Sequence, residues 1–251
     1  VNGVAYLHGR GVAHRDLKLD NCVVDKEGVL KLVDFGSAVI WDSQMYQSNE
    51  VSTYEVEIKP KSAAKVTGIL GSDPYLSPEL FYQTYYDPTK ADVWSLAIVF
   101  CCMIIHQFPW RLPKPREDKS YNMFTMHNKE IVDEKGRKKI VGPQRVLNKL
   151  PEESRELISG MLELVPEERL SIFDIQRDPF LKSIVHCHYN ETGAVIAAPN
   201  HTHHFITRQD FALTESKPVT PKETVADVKA DNSMQIPTII LNQEKSPDSS
   251  N

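Results

Sequence analysis

One eight-residue run near the start of the chain, His14-Arg15-Asp16-Leu17-Lys18-Leu19-Asp20-Asn21, concentrates carboxylate, cationic and amide side chains, and Asp34-Phe35-Gly36 begins thirteen residues beyond Asn21. Asp16 offers a carboxylate that can hold and deprotonate an incoming hydroxyl. Lys18 offers a cation for a moving anionic group, and Asn21 and Asp34 offer oxygen ligands for a hard divalent cation. Phosphoryl transfer needs that combination: a base, a positive charge on the transferred group, and oxygen-held magnesium. An isolated Asp-Phe-Gly is common in turns, so the weight rests on the ordered run followed at fixed distance by the tripeptide.

The flanking sequence predicts elements able to position these groups. Val4, Leu7 and His8 are helically spaced, and Gly9 and Gly11 can end that helix just before the run. Cys22-Val23-Val24 and Val29 to Val33 flank Asp25-Lys26-Glu27-Gly28, a hairpin signal that brings Asn21 and Asp34 near one another. Between Gly36 and Ser77 lies a long polar connection containing Ser43, Ser48, Ser52, Thr53, Ser62 and Thr67, of a length usually functional or disordered. Asp87-Pro88-Thr89 is a strong helix start. The run Trp94 to Ile105 is apolar on nearly every face, and at about twelve residues it is short of the roughly 20 needed to cross a bilayer. It therefore reads as a buried central helix, with no transmembrane segment expected, and Asp92 enters that core as a charge that must be paired.

Farther on, Phe108-Pro109-Trp110 should end the central helix, and the charged stretch from Pro113 to about Gly142 reads as surface, either partner-facing or, as charge runs more often are, simply a solvated face. Pro151-Glu152-Glu153 opens a helix with inner stripe Leu157, Ile158, Met161 and Leu162, stopped by Pro166, and Ser171-Ile172-Phe173-Asp174 resembles a capping box. His186-Cys187-His188 and His201-Thr202-His203-His204 lack the ligand spacing of a zinc finger. Residues 216–251, rich in Pro, Lys, Asp, Ser and Asn, read as a disordered tail despite the apolar patch Ile236 to Leu241. Thr220-Pro221 and Ser246-Pro247 are possible proline-directed phosphosites.

Composition narrows the class. The chain has 251 residues, 41% of them hydrophobic, enough for a sizeable core, and a net charge of −5 argues against nucleic acid or anionic membrane as partner. Four cysteines, Cys22, Cys101, Cys102 and Cys187, form no CxxC pair and no secreted disulfide framework, which predicts a reducing, cytoplasmic setting. The first ten residues lack signal-peptide character and an initiator Met, so the chain is expected to begin mid-protein.

The motifs resemble those of the eukaryotic protein kinases, whose catalytic loop reads His-Arg-Asp-Leu-x-x-x-Asn and whose magnesium loop reads Asp-Phe-Gly. The resemblance implies Asp16 as catalytic base, Lys18 on the transferred phosphate, Asn21 and Asp34 as magnesium ligands, and ATP as phosphoryl donor. It places Val23 under the adenine ring, although Val23 reads equally as a local core residue. Gly71-Ser72-Asp73-Pro74-Tyr75-Leu76-Ser77-Pro78-Glu79 resembles the substrate-docking end of an activation segment, with Ser77-Pro78-Glu79 for the usual Ala-Pro-Glu. There Ser72 would bridge to Asp16 and Lys18. Thr67 would be an activating phosphosite received by Arg15, though it also reads as an ordinary loop threonine. Asp92 would prop the loop that holds His14 and Arg15, and Arg169, otherwise a surface arginine, would pair with Glu79. Ala97 stands where the family commonly has Gly.

Lys18 and the segment around Ser72 favour Ser/Thr over Tyr substrates. Gly71 to Phe81, Tyr86-Asp87-Pro88 and Phe108-Pro109-Trp110-Arg111-Leu112-Pro113 resemble the fungal halotolerance and nitrogen-permease-reactivator kinases, which implies regulation of plasma-membrane transporters. The expected fold is a kinase-like α+β unit: a mainly helical C-terminal lobe with one short hairpin at 1–183, an extension at 184–215, and the tail. Thirteen residues before His14 leave no room for a glycine-rich loop and strand lysine, so an absent N-terminal lobe is expected and the isolated lobe should bind ATP poorly. Two rivals remain, a non-catalytic scaffold lobe and a small-molecule phosphotransferase. Ser77-Pro78-Glu79 with Arg169 speaks against the second, because that pair supports a peptide-docking segment.

Overall fold

The computed structural model describes residues 1–40 and 65–199. The expectations for Ser43 to Ser62, His201 to His204 and the tail, with Thr220, Ile236 to Leu241 and Ser246, lie outside the described residues. Helix α1, Asn2–Gly9, ends at Arg10, and Gly11 turns the chain at φ +67° into strand β1, Val12–Ala13. The 14–21 run follows, closing in a 3-10 turn at Leu19–Asn21. Strands β2, Cys22–Val24, and β3, Leu30–Leu32, pair antiparallel with Cys22 opposite Leu32. Asp25 Oδ1 holds the intervening turn by accepting the amides of Glu27 and Val29, and Gly28 supplies φ +78°. Strand β4, Val39–Ile40, returns to pair with β1.

Helix α2, Pro88–Ile105, is the centre of the molecule. Asp87 caps it, accepting from the Thr89 amide at 2.8 Å, and His106 closes it in the left-handed conformation, before Phe108-Pro109-Trp110 rather than at it. At 18 residues it is longer than the apolar run suggested, long and apolar enough by length and composition to cross a membrane. Its setting is that of a core helix: Trp94, Ala97, Ile98, Cys101 and Cys102 are buried in one cluster with Val4 of α1 and Ile158 and Ile175 from the later helices. Burial pushes the Cys101 and Cys102 thiols up to about 12, so both stay protonated near neutrality.

The charged stretch from Pro113 contributes more than surface. Helix α3, Lys119–Phe124, buries Tyr121 and Phe124 against Trp94 and Trp110, whose rings lie 5.6 Å apart. The hairpin of β5, Lys129–Val132, and β6, Lys138–Val141, is largely exposed as expected, although Val141 is buried. Helix α4, Gln144–Leu147, leads to a 3-10 turn at Glu152–Ser154 and α5, Arg155–Met161, which buries Leu157, Ile158 and Met161 and ends before Pro166. Helix α6, Ile172–Arg177, opens with the expected capping box of Ser171 and Asp174, and α7, Pro179–Ser183, follows. Strands β7, His188–Tyr189, and β8, Val195–Ile196, form a last hairpin. The described residues thus hold a mainly helical body with four two-stranded antiparallel pairs, where one hairpin was expected.

Candidate active site

Four polar side chains converge where the 14–21 run meets the 71–79 segment. Lys18 Nζ donates to Asp16 Oδ2 at 2.9 Å and to Ser72 Oγ at 3.1 Å, and Ser72 Oγ donates to Asp16 Oδ1 at 3.1 Å. Asn21 Nδ2 donates to the Asp16 carbonyl at 2.8 Å and approaches its Oδ2 at 3.4 Å. The other amide atom, Oδ1, makes no hydrogen bond among the described residues. The Asp16 side chain keeps 12% of its surface exposed and Lys18 22%, so the cluster is sheltered yet reachable.

Asp34 is exposed, and its carboxylate accepts the Gly36 amide at 3.3 Å. Hydrogen bonds join Asp16, Lys18, Asn21 and Ser72, and Asp34 is tied to this loop through its neighbour Val33. The Val33 amide donates to the Asn21 carbonyl at 3.1 Å, and the Val33 carbonyl accepts from His14 Nε2 at 3.0 Å. His14 Nδ1 accepts the Asp16 amide at 3.3 Å, which assigns the proton to Nε2. His14 thus ties the Asp16 loop to the residue before Asp34, and its ring lies 5.0 Å from that of Phe35. Asn21 Oδ1 and the Asp34 carboxylate are hard oxygen donors at the two ends of the β2–β3 hairpin, a set that suits magnesium. Val23, in β2, is half-buried.

The loop is held from below by Asp92 on α2. Its Oδ2 accepts the His14 amide at 2.8 Å and His8 Nε2 at 2.9 Å, and its Oδ1 accepts the Arg15 amide at 2.8 Å. The buried charge is thereby paired as the sequence required. His8 is the partner that sequence reasoning missed. The signal was present, since His8 lies one turn from Val4 on the buried face of α1, where a polar side chain needs a partner. Arg15 and Asp34 both adopt left-handed backbone conformations, φ +66° and +62°, and the Asp92 bond to the Arg15 amide fixes the first of them.

The upper segment is held just as closely. Arg15 Nη2 donates to the Thr67 carbonyl at 3.2 Å and to the Tyr86 hydroxyl at 3.0 Å, and that hydroxyl donates to the Gly68 carbonyl at 3.1 Å. Arg15 therefore meets the backbone of Thr67, whose side chain faces solvent. Gly71 is irreplaceable on steric grounds: at φ +116° a Cβ would lie 2.9 Å from the Arg15 carbonyl. Glu79 and Arg169 form a bidentate pair at 2.7 and 3.0 Å with both side chains 0% exposed. Arg169 also donates to the carbonyls of Glu163 and Lys90 and stacks over Trp94, so it is a core arginine and not a surface one.

Ser77 differs from its surroundings, being buried with no partner for its hydroxyl among the described residues. Ser77→Ala is accordingly expected to raise stability by about 1 kcal/mol, read from urea unfolding, because it removes an unpaired buried polar atom.

A model of the protein kinase domain family matches residues 1–181. "Probable serine/threonine-protein kinase RTK1" of Saccharomyces cerevisiae is 45% identical over 212 residues, covering 84% of this chain and 31% of that protein. Serine/threonine-protein kinase oca2 of Schizosaccharomyces pombe is 36% identical over an alignment of 256 residues, covering 86% of this chain and 37% of that protein. The nitrogen permease reactivator protein of Saccharomyces cerevisiae is 36% identical over 237 residues, covering 81% and 28%. The chain spans about a third of the length of these relatives.

Proposed function

This chain belongs to the protein kinase family, within its fungal Ser/Thr branch, and from that membership we propose that it transfers the γ-phosphoryl group of ATP to Ser and Thr hydroxyls of protein substrates. The observation that carries the reading is the triangle of Asp16, Lys18 and Ser72, which joins the base to the substrate-docking segment. Asp16 orients the incoming hydroxyl and accepts its proton as the oxygen attacks. Lys18, already hydrogen-bonded to Asp16, neutralises charge on the transferred group. Asn21 and Asp34 would hold magnesium, which when bound to ATP supplies charge compensation on the phosphates. Val23 would line the site for the adenine of ATP, and the Glu79–Arg169 pair fixes the floor of the docking segment.

Thr67 is proposed as an activating phosphosite. Arg15 already reaches the Thr67 backbone, and its buried Nε has no hydrogen-bond partner among the described residues, so a phosphate there would gain charge-assisted hydrogen bonds. Thr67→Ala is expected to lower phosphotransfer severalfold relative to the phosphorylated parent, and equal activity would remove the idea. The name of one relative, nitrogen permease reactivator protein, supports a role in regulating membrane transporters, and a cytoplasmic location is part of the proposal.

The test is phosphotransfer from radiolabelled Mg-ATP to a Ser/Thr peptide library by the polypeptide as its host expresses it. Labelled serine or threonine that is lost in Asp16→Asn supports the reading. Label on small molecules, or peptide binding without transfer, favours one of the rivals.

A further inference from the structure

Residues 184–199 lie past the last residue matched by the protein kinase domain, yet they are tied to the hairpin that joins Asn21 to Asp34. The Tyr189 hydroxyl donates to Asp25 Oδ2 at 2.8 Å and lies 3.3 Å from Glu27 Oε2. Lys31 Nζ sits 4.1 Å from the centroid of the Tyr189 ring and 3.6 Å from Asp25 Oδ2. Asp25 thus works in two directions: one oxygen holds the β2–β3 turn, and the other holds Tyr189. The neighbouring carboxylates push the Tyr189 hydroxyl up to about 12, which keeps it a donor at neutral pH. Tyr189 is presented by an ordered hairpin, since Asn190 Oδ1 accepts from the Thr192 and Ala194 amides across the β7–β8 turn.

We infer that β7–β8 is a clamp on β2–β3 and that Tyr189 is a positioning residue for the metal-holding pair Asn21 and Asp34. The reason lies in the size of what it clamps. Strands of three residues in a two-stranded pair have little stability of their own. Asn21 immediately precedes β2, and Asp34 follows β3 by two residues, so fraying of this ladder changes the separation of the two oxygen ligands. Contacts from α1 and Val33 steady the ends of the ladder, where Gly3 approaches Leu32 and Val33 meets Asn21. Tyr189 and Lys31 steady the turn.

The metal role rests on the proposed function, so the experiment reads two quantities. In the full chain, Tyr189→Phe keeps the ring over Lys31 and removes the donor, while Tyr189→Ala removes both. Hydrogen exchange of the β2–β3 amides, which does not depend on activity, is expected to quicken in Phe and more in Ala, with α2 unchanged. The magnesium concentration for half-maximal peptide phosphorylation is expected to rise about two- to fivefold in Ala, with peptide KM and the rate at saturating magnesium unchanged. Unaltered exchange in both variants would overturn the clamp. Faster exchange with an unaltered magnesium dependence would overturn the positioning role, and a parent without phosphotransfer would refute the function while exchange still decided the clamp.

Discussion

Replacing Asp16 with Asn is expected to lower peptide phosphorylation by about a thousandfold, with a melting temperature close to that of the parent. The substitution is nearly isosteric and keeps an acceptor for Lys18 Nζ or Ser72 Oγ, so the triangle that links loop and docking segment can persist. What it removes is the carboxylate's ability to take a proton from the attacking hydroxyl. Steady-state kinetics with a fixed peptide, paired with thermal unfolding, separate the two effects. A rate within tenfold of the parent would reassign the base. A large fall in melting temperature would instead mean that Asp16 acts mainly as a structural acceptor for Asn21 and Lys18.

The second large effect concerns stability. Glu79→Ala leaves the Arg169 guanidinium fully buried without its carboxylate, and breaking such a pair from one side costs roughly 3–5 kcal/mol. The two carbonyls that Arg169 also binds cannot neutralise it. Urea unfolding of Glu79→Ala should show the loss, and the double variant Glu79→Leu with Arg169→Met should recover much of it, because two apolar side chains of similar volume leave no buried charge. Equal instability of the single and double variants would show that the pair contributes through specific hydrogen bonds to the docking segment and not through charge compensation.

Legibility in the sequence followed distance along the chain. Asp16, Lys18 and Asn21 fall within six residues, so their type and spacing announced the site. Asp92 declared itself as a charge in an apolar helix, although nothing local said what it would bind. The contacts that escaped notice are long-range and carry no period: His8 with Asp92 across 84 residues, Arg15 with Tyr86 across 71, and Tyr189 with Asp25 across 164. Tyr121 and Phe124 were missed because a six-residue helix amid charges is too short to show an apolar stripe. The left-handed backbone of Asp34 is likewise something that composition does not reveal.

The Asp92 anchor limits how the chemistry can be transplanted. A designer who lifts the segment from His14 to Asn21 onto a foreign framework would carry over every reactive group and lose its footing, because two of its amides are held by an acid contributed from the far side of the interior. The portable unit is the loop together with that distant carboxylate and the imidazole of His8, and recruitment of this chemistry by a new scaffold has to secure all three at once.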